Sequence, residues 1–185
     1  MRVFIAVFPP LQVRETLHRT ARNLPVKGGV RCIKPSNIHL TLKFLGDTGE
    51  EDLDEIGAAI AAVCENHEPF EIEPRGFGAF PSDRKARILW AGISEGSRQL
   101  RNLAKDLENT LEPLGFARER RAFTPHITLC RSRGLPVSLG KWDPILEDLR
   151  FRANKIELME SSLRKDGAVY EVLKTFAFEG HRRTL

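Results

Sequence analysis

Hydrophobic residues occupy every position from Val3 to Phe8, with Val3, Ile5 and Val7 on one side of an extended chain and Phe4, Ala6 and Phe8 on the other. That stretch, Arg2 to Phe8, predicts a strand buried on both faces. After Pro9-Pro10 the spacing changes: Leu11, Val13, Leu17, Ala21 and Leu24 recur at helical intervals, predicting an amphipathic helix over 11–23 that Pro25 ends. Val30 to Ile33 reads as a short extended piece before a Pro35-Ser36-Asn37 turn. Thr48 and Glu51 are spaced as a capping box for a second helix along Leu53, Ile56, Ile60 and Val63, up to Cys64. Phe70 to Glu73 predicts a strand, Gly76 to Pro81 a glycine-punctuated turn or bulge, and Ala86 to Ile93 another strand. Leu100, Leu103, Leu107, Leu111 and Leu114 form one stripe of a helix over 97–114, stopped by Gly115. Residues 133–149 read as irregular with room for one helical turn. Strands at 152–159 and 169–178 follow, joined by a turn at Lys165-Asp166-Gly167.

Two stretches stand out from this pattern. Asn37-Ile38-His39-Leu40-Thr41-Leu42-Lys43-Phe44-Leu45-Gly46 is answered by Thr124-Pro125-His126-Ile127-Thr128-Leu129-Cys130-Arg131. Both alternate as strands do, so His39 shares a face with Thr41 and His126 with Thr128, while Leu40, Leu42, Ile127 and Leu129 point the other way. With five histidines and nine threonines in 185 residues, chance supplies about 0.25 copies of His-x-Thr. Two copies in matching apolar frames, each after a strand and a helix, favour a paired device over two unrelated half-buried histidines. The repeat spacing, near ninety residues, indicates a duplication rather than a solenoid. The expected fold is α+β: one bilobal domain over 1–185, two pseudo-symmetric lobes of antiparallel sheet with helices outside, and a central cleft into which both histidines face.

Composition excludes little. Cys32, Cys64 and Cys130 are odd in number and lack metal-ligand spacing, so free thiols in a reducing compartment are expected. No apolar run has the length of a signal-peptide core or membrane span, which makes a cytoplasmic protein without membrane contact the expectation. The formal charge of +4 suits an anionic partner without identifying one.

Two imidazoles facing one cleft admit three chemistries. Metal binding needs three or four ligands, and no carboxylate or cysteine recurs beside the motifs, so no metal or cofactor is expected. Covalent catalysis needs a nucleophile with an oriented base, and no Asp or Glu matches either His-Thr pair. An acid-base pair fits better: displacement at phosphorus takes a base on the entering side and an acid on the leaving side, and imidazole titrates near neutrality. Thr41 and Thr128 would then donate to the non-bridging oxygens.

On these residues the chain resembles the two-histidine (2H) phosphoesterase superfamily, in particular its bacterial and archaeal RNA 2′,3′-cyclic phosphodiesterases, also called 2′-5′ RNA ligases. The likeness extends to Gly76-Phe77-Gly78-Ala79-Phe80-Pro81, Leu89-Trp90-Ala91-Gly92, Glu157-Leu158-Met159-Glu160-Ser161 and Ala168-Val169-Tyr170-Glu171-Val172-Leu173. The resemblance implies a metal-independent hydrolase that opens an RNA terminal 2′,3′-cyclic phosphate to a 2′-phosphate, with a reversible ligase activity. His39 is implied as proton donor and His126 as proton acceptor. Arg131 is implied as a phosphate contact and Phe44 as a contact to the terminal nucleotide.

Strand alternation objects to Arg131 and Phe44, because an offset of five residues sends each to the face opposite its histidine unless the strand bulges. Lys43 has the histidines' parity, which points it toward phosphate or solvent. Arg118, Arg120 and Arg121, with Arg84, Lys85 and Arg87, are candidates for steering an RNA backbone. His18 and His67 lack a partner motif, and the tail His181-Arg182-Arg183 is expected to be disordered. The protein is expected to be a monomer, and two alternatives stay open: a 2H phosphodiesterase for small cyclic nucleotides, and a module that binds RNA ends or nucleotides without catalysis.

Overall fold

The computed structural model describes residues 1–141, 149–164 and 167–180. The chain begins with strand β1 (Arg2–Val7), helix α1 (Leu11–Ala21), two short strands β2 (Val26–Lys27) and β3 (Val30–Cys32), the first motif strand β4 (Leu40–Asp47) and helix α2 (Leu53–Glu65). Strands β5 (Phe70–Ile72), β6 (Pro74–Phe80) and β7 (Ile88–Ile93) precede helix α3 (Ser97–Leu111). Then come the second motif strand β8 (His126–Ser132), β9 (Ser138–Leu139), β10 (Phe151–Ala153), β11 (Lys155–Arg164) and β12 (Gly167–Ala177).

Two four-stranded antiparallel sheets carry the motifs, one in the order β12-β11-β1-β4 and the other β3-β8-β7-β6. The same unit is used twice, β1-α1-β4 and β7-α3-β8, and in each the motif strand pairs with the strand before the helix. The helices are exchanged: α1 packs against β8 and α3 against β4, while β4 and β8 touch. Leu100, Leu103, Leu107 and Leu111 of α3 are all fully buried, so the stripe read from the sequence is the face that enters the shared core. That core runs under both sheets, from Leu17 and Leu40 to Ile127 and Leu129.

Strand β1 is buried on both faces, as its sequence requires. Val3, Ile5 and Val7 join the main core, whereas Phe4 and Ala6 join Met159, Phe8 and Tyr170 in a separate apolar cluster. The Phe4, Phe8 and Tyr170 rings of the latter stand against His39.

Several local expectations are corrected. Of the turn or bulge expected from Gly76 to Pro81, the turn gives way to a strand over 74–80, while the bulge is present as a register shift between Pro74 and Phe77 that Gly76, at φ +74°, accommodates. No side-chain cap begins α2; Thr48 Oγ1 instead donates to the Gly46 carbonyl. Strand pairing splits the predicted 152–159 segment into β10, which pairs with β5, and a longer β11. Cys32 and Cys130 are not free thiols: they are register partners on β3 and β8 and form a disulfide, leaving Cys64 free and buried. A separation of 98 residues hid that pairing, which only the sheet reveals. Most of the Lys165-Asp166-Gly167 turn, much of the irregular stretch with its helical turn, and the terminal tail lie outside the described residues. Among the described residues no helix is long and apolar enough to cross a membrane.

Candidate active site

Both histidines are held by the turn that leads into their strand. His39 Nδ1 lies 2.7 Å from the Asn37 carbonyl and His126 Nδ1 lies 2.7 Å from the Thr124 carbonyl. A carbonyl only accepts, so Nδ1 carries the proton and each neutral ring offers Nε2 as an acceptor. The Thr41 hydroxyl, 3.0 Å from His39 Nε2, is placed to donate there.

A bulge in each motif strand then resets the alternation. On β4, Thr41 faces Ala6 and Lys43 faces Ile5, so Leu42 is the extra residue. Leu42 and Lys43 are buried in succession, and Phe44 returns to the side of His39 and Thr41, 63% exposed and 6.1 Å from Phe4. On β8, Thr128 faces Trp90 and Cys130 faces Leu89, so Leu129 is the extra residue. Leu129 and Cys130 are buried, and Arg131 returns to the side of His126 and Thr128. The parity objection to Phe44 and Arg131 is thereby removed.

The same bulge overturns the expectation for Lys43. Its side chain points inward, fully buried, with Nζ 2.7 Å from Glu108 Oε2 on α3 and donating to the Ala117 carbonyl at 2.9 Å. It reaches neither the cleft nor solvent.

Aromatic rings box in each imidazole. Around His39 stand Phe4 at 5.0 Å, Phe8 at 5.3 Å and Tyr170 at 5.2 Å, the last perpendicular. Around His126 stand Phe80 at 5.1 Å, also perpendicular, and Trp90 at 6.2 Å. The Trp90 indole lies across Gly78, where any β-carbon would overlap the ring. None of these aromatics was singled out from sequence as a site residue. Phe4 and Phe8 share a strand face, which was a signal, but Phe80, Trp90 and Tyr170 reach the histidines only through strand pairing and sheet curvature.

Electrostatics tie the halves together. Burial lowers the His39 pKa to about 4; the hydrogen bond to Asn37 works against this, while the charges of Arg131 and His126 add to it. His126 is lowered for the same reason, chiefly burial, partly offset by the Thr124 bond and reinforced by Arg131. Arg131 therefore acts on both rings, and His126 acts on His39. The other described histidines are elsewhere: His18 Nδ1 bonds the Ile33 carbonyl and His67 pairs with Asp106. Among the described residues no three His, Cys, Asp or Glu side chains are grouped to hold a metal ion.

Comparison with known proteins agrees with this architecture. The family model for the 2′-5′ RNA ligase superfamily matches residues 9–164. The RNA 2′,3′-cyclic phosphodiesterase of Aquifex aeolicus is 31% identical over 97% of this chain and 98% of its own. The protein of that name from Thermus thermophilus is 34% identical over 97% of this chain and 91% of its own. A crystal structure of a Thermus thermophilus protein matches with a TM-score of 0.83 at 31% identity, covering 98% of this chain and 100% of that one. Escherichia coli LigT complexed with 3′-AMP matches with a TM-score of 0.82 at 26% identity, covering 96% and 97%. Fold, motif strands and sequence agree that this chain is a member of the 2′-5′ RNA ligase superfamily, with the 2H phosphoesterase fold.

Proposed function

We propose that this chain hydrolyses an RNA terminal 2′,3′-cyclic phosphate to a 2′-phosphate by metal-independent acid-base catalysis, and that a 5′-hydroxyl attacking phosphorus in place of water, with the same departure of the 3′ oxygen, gives it a reversible 2′-5′ ligase activity. The observation that supports the reading is that His39 and His126 are each fixed through Nδ1 by a backbone carbonyl and that the charge of one arginine, Arg131, acts on both. The names of the curated relatives supply the substrate class.

In this reading the cyclic phosphate sits between the two imidazoles beside Arg131. Its negative charge offsets the guanidinium, and so removes one of the influences that keep His39 neutral. Proton uptake at His39 Nε2 then accompanies binding. Thr41, released from the imidazole it now faces, turns its hydroxyl to a non-bridging oxygen, and Thr128 does the same from the other strand. His126 Nε2 takes a proton from water as its oxygen attacks phosphorus, and His39 gives its proton to the departing 3′ oxygen. Phe44, exposed at the rim, offers its ring face to the terminal base.

The test is incubation with an oligonucleotide ending in a 2′,3′-cyclic phosphate and identification of the product isomer. Exclusive 2′-phosphate, undiminished by EDTA and reduced by ~10²- to 10⁴-fold in His39→Ala and in His126→Ala, is the expected result. A chelator-sensitive reaction restored by a divalent ion rejects the metal-free mechanism. Equal binding and activity in both variants rejects catalysis by the pair.

A further inference from the structure

The chain contains eleven phenylalanines and one tyrosine, and the tyrosine is the ring set against His39. Tyr170 lies on β12, at the opposite edge of its sheet from β4, so strand order alone would keep it away from the motif. The β11–β12 hairpin curves back far enough for the Asn37 side-chain amide to donate to the Ala168 carbonyl at 2.7 Å. Asn37 thus holds two things at once: its own carbonyl fixes the His39 ring, and its side chain fixes the backbone two residues before Tyr170. The phenol ring stands 5.2 Å from the imidazole at 88° and 5.0 Å from Phe4 at 70°.

Packing explains the ring but not the hydroxyl. Phe4 and Phe8 line the same imidazole without one. The Tyr170 hydroxyl makes no hydrogen bond with any other described residue, and the side chain that carries it is only partly buried. Arg131, from the other sheet, acts on this phenol as it does on the two histidines. A donor beside the acid and within reach of the guanidinium's field is suited to a phosphoryl oxygen, since O–H donors bind anionic oxygen strongly.

We propose that Tyr170 is a substrate-contacting residue whose hydroxyl donates a hydrogen bond to a phosphoryl oxygen of the cyclic ester on the His39 side of the cleft. This rests on the hydrolase reading above. The phenol keeps its proton throughout; the protons that move belong to water, His39, His126 and the departing oxygen. Burial raises the Tyr170 pKa, against a smaller opposing influence from Arg131, which keeps the hydroxyl a donor across the working range.

Tyr170→Phe removes the hydroxyl and keeps the ring. With the cyclic-phosphate oligonucleotide as substrate, kcat/KM should fall about 10- to 100-fold, the loss of one hydrogen bond to a charged group. The Tm and the acidic limb of the pH–rate profile should stay where they are. A variant within twofold of the parent overturns the proposal. So does a loss that comes with a shifted His39 titration, because Tyr170 would then act through the imidazole rather than on substrate. Inorganic phosphate titrated into both proteins and followed by the histidine ring NMR signals tests the contact without turnover: weaker binding in Tyr170→Phe supports it, and equal binding overturns it. If the parent protein fails to open the cyclic phosphate, the hydrolase reading falls, and the phosphate titration still decides the contact.

Discussion

His39 is a weak base where it sits, and that has two measurable consequences. Because its folded pKa, about 4, lies below the ordinary histidine value of 6.5, the unfolded chain binds more protons between those limits. The stability contributed by keeping this ring neutral is therefore complete above about pH 6.5 and is lost as pH falls toward 4, by at most about 3 kcal/mol. Urea denaturation across that range should show the decline, and His39→Asn should flatten part of it; parallel curves would mean the ring is more hydrated than its aromatic box implies. The second consequence concerns Arg131, whose charge disfavours both imidazolium ions. Arg131→Met should raise the pKa of His39 and of His126 together while weakening phosphate binding, both read by NMR titration. A rise confined to one histidine would show that the guanidinium does not serve both.

The bulges are the elements on which the site turns, and they explain what the sequence left unread. The helices, the two motif strands, their common orientation and the division of β1 into two apolar faces all follow from periodicity. Which way Lys43, Phe44 and Arg131 point does not, because a bulge is decided by how one strand registers on its neighbour. The available clue was symmetry: Phe44 and Arg131 stand at the same offset from their histidines, so a shared irregularity was the economical reading. The bulge leaves Lys43 buried beneath β4, held by Glu108 of α3 and by the Ala117 carbonyl in the loop that leads toward His126. Lys43→Met should destabilise the fold by about 3 kcal/mol or somewhat more, since it strands a mostly buried carboxylate, and Lys43→Met with Glu108→Leu should recover much of the loss. Denaturation midpoints of the single and double variants measure this. A single variant as stable as the parent would mean that Glu108 simply turns to solvent.

At the scale of the molecule, the exchange of helices makes the two sheets one body: the strand that follows His39 packs on the helix that precedes His126, and the strand that opens with His126 packs on the helix that precedes His39. In the proposed reading, convergence of the histidines is a property of the whole fold, and recognition of a longer RNA comes from residues beyond the two motifs. The exposed Arg120 and Arg121 lie in the segment that runs into the second motif, and their neighbour Arg118 is already paired with Glu112 at 2.7 Å. If this segment follows the backbone of the substrate, kcat/KM for an oligonucleotide should fall with rising salt, whereas a mononucleotide 2′,3′-cyclic phosphate, with no further backbone, should respond much less. Arg120→Ser with Arg121→Ser should then reduce the slope of log(kcat/KM) against log[salt] by about 0.7 for each phosphate no longer neutralised, and only for the oligonucleotide. Equal salt dependence of the two substrates, or a mononucleotide turned over far faster than the oligonucleotide, would confine recognition to the cleft and make a small cyclic nucleotide the better account of what the site is built to open.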